Sequence, residues 1–285
     1  MSCRRWGACH DHLDPLGHLM LQTMKTAGSP AFTPQPRQDI ADRQGLARDA
    51  ARDLAVAAAL VLVMAVSLAV GADLGLDYAA KAGLVFAAAV WLVWRGLGAH
   101  PHARFGPANR VTLVRLGAMA LMAALVGEVL PRTPLDAAAW WLVVAATLTA
   151  LLDAVDGALA RRSGLASAFG ARFDMETDAA FTLVLCALVV QAGQAGPWIL
   201  ASGLMRYAFV GAAFIWPWLN GPLPPSKRRQ TVCVVQITTL IVCLGPIVPP
   251  LLANALAAVS LALLTLSFAI DVRTLARQRP TPLET

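Results

Sequence analysis

The sequence predicts an all-α, polytopic membrane protein, and three observations predict it. First, 58% of the 285 residues are hydrophobic and only 14% charged, with a mean hydropathy of +0.61. A soluble domain is about 45–50% apolar and about 25% charged, so these charges cannot cover a soluble surface. Second, apolar segments follow one another at 54–71, 79–94, 111–130, 137–157, 172–194, 198–218, 231–248 and 251–270. About 20 apolar residues span the ~30 Å of hydrocarbon, and most of these segments qualify, 79–94 marginally. Third, 19 of the 23 Lys and Arg fall on one side when those eight segments are threaded through a bilayer. That asymmetry sets orientation.

The same observations exclude other classes. Disordered chains are polar and highly charged. Five Cys are too sparse for a disulfide scaffold, and Cys186, Cys233 and Cys243 lie in apolar runs. The segments lack period-2 alternation, which argues against a β-barrel. The net charge of +6 could suggest nucleic acid. The basic residues sit instead in short loops between spans, so no nucleic-acid partner is expected.

Residues 1–52 read as a cytoplasmic, largely disordered basic tail, rich in Pro, Gly and Ser, whose last part (38–53) could form a short charged helix. Cys3, Cys9, His10 and His12 show no second ligand pair at zinc spacing and read as part of that tail. Two transmembrane helices follow over 53–96, a six-helix membrane domain over 97–271, and a cytoplasmic tail over 272–285. Both termini and the loops 95–110, 158–171 and 219–230 are expected in the cytoplasm.

Ionisable residues inside membrane helices are costly and mark function by default. Here they cluster. Asp153, Asp156, Gly157, Ala160 and Arg161 fall at i, i+3, i+4, i+7 and i+8, one face of a helix. Gly170, Asp174 and Asp178 share a face of the next helix, and Glu176 points away. The short connection makes the two helices antiparallel neighbours. Four carboxylates this close repel unless a cation neutralises them. Oxygen-only ligands suit Mg²⁺, Mn²⁺ or Ca²⁺ rather than zinc. Gly157 and Gly170 would let a bulky ligand approach, and Arg161 offers a fork for phosphate. This is a divalent-metal phosphate site at the cytoplasmic membrane edge, able to clamp an in-line phosphoryl displacement between two metals. The bland alternative is carboxylates pairing with Arg161, Arg162 or Arg172 to hold helices together.

Those residues spell D-x2-D-G-x2-A-R-x8-G-x3-D-x3-D and resemble the signature of the CDP-alcohol phosphatidyltransferase family at all eight positions. The resemblance covers about 107–271, the family's six-helix core, with 54–71 and 79–94 as additional helices. "PANRVTLVR", with Asn109, Thr112 and Arg115, resembles the start of the first core helix, although Asn109 could be only an N-cap. "SKRRQTVCVVQ" resembles the family's basic loop, although Lys227, Arg228 and Arg229 could be positive-inside charges.

The resemblance implies transfer of a phosphatidyl group from a CDP-linked lipid donor, CDP-diacylglycerol above all, to an alcohol, with release of CMP. It implies two divalent ions, Mg²⁺ or Mn²⁺, on Asp153, Asp156, Asp174 and Asp178. Asp178 would also be the general base. Thr112, Asp156, Gly157, Ala160, Arg161 and Gly170 would bind the CDP donor. Arg206 and Lys227 are candidates for an anionic acceptor, and Arg206 could instead pair with a carboxylate. Ala179 and Met175 stand where phosphatidylglycerophosphate synthases carry Lys and Pro, so the acceptor stays open. A homodimer in the inner (cytoplasmic) membrane is expected, with its site facing the cytoplasm. A cation transporter built on the same carboxylates, or a non-catalytic relative, are the competing readings.

Overall fold

The structure, a computed structural model, describes residues 36–129, 137–221, 223–224 and 226–278. The tail over 1–35, with Cys3, Cys9, His10 and His12, lies outside the described residues. The described residues form eight α-helices and no strand. They are α1 Pro36–Gly71, α2 Gly75–Gly96, α3 Pro107–Ala124, α4 Ala137–Ser163, α5 Ala168–Gln191, α6 Leu200–Ile215, α7 Lys227–Leu244 and α8 Pro250–Arg277.

Each apolar segment of the sequence has become one helix, but several run past the apolar stretch. α4 continues through Arg161 and Arg162 to Ser163, and α8 continues to Arg277. The charged stretch 38–53 is the first half of α1, not a separate helix, so the expected boundary at 52/53 falls inside one continuous element. Hydropathy marks only the part of a helix that can sit in hydrocarbon; charged turns at the ends keep their backbone hydrogen bonds beyond it.

Among the described residues, five helical stretches are long and apolar enough to cross a membrane: Arg43–Gly71, Gly75–Gly96, Ala139–Ala160, Pro197–Ile215 and Pro250–Arg277. Val63, Leu84, Phe214 and Leu251 lie exposed on four of them, as helix faces turned to lipid would. α3, α5 and α7 fall outside these five stretches. They carry Asn109, Arg110 and Arg115; Arg172, Asp174, Glu176 and Asp178; and Lys227, Arg228 and Arg229. Charged residues inside a bundle need neighbours, and these helices have them: α3 packs on α1, α2, α4 and α5, α5 on α3, α6 and α7, and α7 on α4, α5 and α8.

α3 packs closely on both α4 and α5, and carboxylate oxygens of α4 and α5 lie within 4.8 Å of one another. The loop between α4 and α5 is a short bridge over the end of α3. That end is set by Gly106, whose φ of 87° would strain other residues. Pro107 then starts the helix, where its missing N–H costs nothing.

The two additional helices are joined to this core. Asp49 Oδ2 accepts the Phe105 N–H at 2.9 Å, and Arg110 bonds Asp53 at 2.6 Å and Asp49 at 3.0 Å. The Tyr78 hydroxyl donates to the Leu121 carbonyl at 3.0 Å. At the far end of α3, Gln191 of α5 donates to the carbonyls of Leu125 and Glu128 and accepts from Gly127 N–H. Groups that a helix end leaves orphaned are thus satisfied from a neighbour.

Candidate active site

α4 supplies Asp153 and Asp156, and α5 supplies Asp174 and Asp178, each pair placed by its helical repeat. Carboxylate oxygens of Asp153, Asp156 and Asp174, all buried, lie within 4.8 Å of one another. They meet because α3 sends Arg115 between them. Its Nη1 lies 3.1 Å from Asp153 Oδ1, 2.8 Å from Asp156 Oδ2 and 2.7 Å from Asp174 Oδ1. Its Nη2 bonds Asp178 Oδ1. The Thr112 hydroxyl, one turn earlier on α3, lies 3.1 Å from Asp156 Oδ2 and from the Ala108 carbonyl.

Sequence reasoning did not find this role for Arg115. The bland alternative named Arg161, Arg162 and Arg172 as the counter-ions, whereas the guanidinium at the centre comes from α3. A signal existed: a lone Arg inside an apolar helix must find carboxylates. Arg162 and Arg172 are exposed. The side chain of Arg161 lies outside the described residues.

One guanidinium cannot balance four carboxylates. If all are ionised, the cluster keeps three excess negative charges, and burying them without partners is prohibitive. Asp156 Oδ1 and Arg115 Nε are buried with no hydrogen-bond partner. Oxygens on opposite sides of a hard divalent ion are about 4–5 Å apart. The donor set, its spacing and the spare Asp156 oxygen therefore fit divalent cations.

The four carboxylates are not equivalent. The side chains of Asp156 and Asp174 are 1% and 3% exposed, that of Asp153 11%, and that of Asp178 22%. Asp178 borders a cavity of about 140 Å³ shared by α5, α6, α7 and α8, which Asp153 and Asp174 also reach. A second cavity of about 590 Å³ lies between α4 and α7, lined mainly by apolar side chains, with Arg115 and Asp153 also on its wall.

Gly157, Ala160 and Gly170 are buried beside the cluster. A Cβ on Gly170 would meet Asn109 Oδ1 at 2.7 Å, so this glycine makes room for Asn109. Asn109 is not the N-cap of α3, which is Gly106. Its Nδ2 donates to the Phe105 carbonyl at 2.5 Å. His100 secures the same corner. Nε2 donates to the Arg104 carbonyl at 2.9 Å, so Nδ1 of the neutral ring accepts from the Ser167 hydroxyl at 3.0 Å. Ser167 is in turn the N-cap of α5, accepting from Gly170 N–H. Burial lowers the His100 pKa below its ordinary value, against a smaller opposing effect of the Arg104 carbonyl.

Of the two acceptor candidates, Arg206 lines the smaller cavity and pairs with Glu176 at 2.5 Å. Lys227 is the first residue of α7 and is not on that wall. The sequence does not single out Asp271 of α8, which holds Arg228 and Arg229, Gln236 of α7 or Ser202 of α6, and all three line this cavity.

No curated protein and no solved structure matches the chain. The family model for CDP-alcohol phosphatidyltransferase matches residues 105–267, more than half of the sequence and all of α3 to α7. The match contains every residue of the carboxylate cluster and its guanidinium. The chain belongs to the CDP-alcohol phosphatidyltransferase family.

Proposed function

We propose that the protein transfers the phosphatidyl group of CDP-diacylglycerol to the hydroxyl of an alcohol and releases CMP. The observation that carries this reading is the convergence of Asp153, Asp156, Asp174 and Asp178 on one point beside a cavity, within the family match. Asp153, Asp156, Asp174 and Asp178 would hold two divalent ions, Mg²⁺ or Mn²⁺. When bound, such ions neutralise the diphosphate and stabilise charge on the departing phosphate.

The chain's own residues do the rest. Thr112 holds Asp156 in place. Gly157, Ala160, Arg161 and Gly170 would form the donor's diphosphate and nucleotide seat; Asn109 lies against Gly170. The apolar cavity between α4 and α7 suits acyl chains. Asp178, the most exposed of the four, takes the proton of the acceptor hydroxyl. The acceptor oxygen forms a bond to the phosphatidyl phosphorus as the bond to the bridging oxygen breaks. CMP leaves with that electron pair.

The basic loops support a site facing the cytoplasm from the inner membrane. A transporter reading is weaker, because the cluster lies near one end of α4 and α5, and transporter sites lie at the midplane on broken helices. The test is purified protein with CDP-diacylglycerol, Mn²⁺ or Mg²⁺ and a panel of alcohols, scored for CMP. Metal-dependent CMP release that requires an alcohol is the expected result. Intact donor under every combination would refute the reading.

A further inference from the structure

We propose that the alcohol this site accepts is an uncharged, hydroxyl-rich molecule, held by Gln236 and Ser202. The proposal rests on the transferase reading above and concerns the cavity beside Asp178. Two buried polar side chains line that cavity with their hydrogen-bonding capacity unused. Gln236 is 2% exposed, and neither its Oε1 nor its Nε2 has a partner. Ser202 is 5% exposed, and its Oγ has none. Buried amides and hydroxyls are almost always paired, so these point to a ligand that completes them. Hydroxyl groups both donate and accept, which matches an amide and a serine together.

Gln236 lies two turns beyond Arg229 on the same stripe of α7, at i+7. It therefore sits deeper in the bundle than the charged rim, where an acceptor reaching past Asp178 would place its other hydroxyls.

The charges point the same way. Arg229 and Asp271 both line the cavity and lie 3.1 Å apart, Nη1 to Oδ1. Arg206 is tied to Glu176. Each guanidinium on the wall thus already has a carboxylate. A phosphomonoester brings up to about two negative charges and needs cations that are not yet neutralised. Here it would also lie against Asp178. A zwitterion would have to open both ion pairs. The buried, unpartnered Nε of Arg206 adds one further donor for a neutral oxygen.

The experiment measures CMP release from CDP-diacylglycerol with myo-inositol, glycerol, serine and glycerol 3-phosphate as separate acceptors. Metal-dependent binding of the CDP donor is measured in parallel. Expected is turnover with an uncharged polyol at least roughly tenfold above that with glycerol 3-phosphate or serine. Gln236→Leu should then raise the polyol KM roughly tenfold, the loss of one or two hydrogen bonds, at little changed kcat and donor affinity. Gln236→Asn should recover part of it. Preference for glycerol 3-phosphate or serine would overturn this inference and leave the transferase intact. An unchanged polyol KM in Gln236→Leu would overturn it too. Absence of CMP with every acceptor, and of metal-dependent donor binding, would bring down the transferase reading and this inference together.

Discussion

Arg115 is the residue on which the site turns. A buried guanidinium among four carboxylates fixes their positions, and it leaves them short of positive charge. Within that cluster exposure separates the roles. Asp178 is the one that reaches the cavity most openly, and a base must be ionised and within hydrogen-bond reach of its proton. Asp178→Asn keeps the size and removes the proton acceptor. We expect kcat to fall at least roughly 100-fold, the low end for general base catalysis, with donor binding weakened less than in Asp153→Asn. Near-normal turnover in Asp178→Asn would move the base elsewhere. His100 acts at the edge of the site through Ser167. Its folded pKa is lowered by burial, so the folded state favours the neutral ring. That contribution to stability is full above the ordinary His value, 6.5. It is lost as pH falls through the lower folded value. Thermal unfolding in detergent should therefore shift to lower temperature as pH drops from about 7.5 to about 5. His100→Gln, which can donate and accept without titrating, should flatten that dependence. Equal slopes in the two proteins would remove His100 from the explanation.

At the scale of the helix, close approach is bought with glycine and limited by it. A Cβ on Gly203 of α6 would meet Leu183 Cα at 2.6 Å, a backbone contact that no rotamer relieves. Gly211, two turns on in the same helix, has nothing within 4 Å. Identical substitutions should then have opposite signs. Gly203→Ala should lower the unfolding temperature through overpacking, roughly 1–3 kcal/mol. Gly211→Ala should raise it, adding up to about 1 kcal/mol of stability through helix propensity. A harmless Gly203→Ala would mean that α5 and α6 are not held together there. Element by element, the sequence was legible where its periodicity is strong. The eight apolar segments and the two carboxylate stripes follow from spacing within one helix. The place of α3 does not, because Arg115 meets Asp156 and Asp178 across 41 and 63 residues of chain. Gln236 and Ser202 were hidden for a related reason. Each is a single polar residue in an apolar run, and only the packed bundle gives them a common cavity.

Over the whole molecule, α3, α4 and α5 carry the carboxylate cluster and its guanidinium, and the apolar helices, α4 among them, carry exposed apolar surface. α1 joins this arrangement through Asp49 and Asp53, which reach the start of α3 at Phe105 and Arg110. The additional helices therefore hold the end of the chain segment that delivers Thr112 and Arg115 to the site. The account stands on the carboxylate cluster as a divalent-metal centre for phosphatidyl transfer. Its most direct test is CMP release from CDP-diacylglycerol by the purified full chain, in Mn²⁺ and in excess chelator, with Asp156→Asn alongside. The account predicts release that chelator abolishes, metal restores, and Asp156→Asn loses while still binding detergent as a folded protein. Full release in excess chelator, or undiminished release by Asp156→Asn, would contradict it.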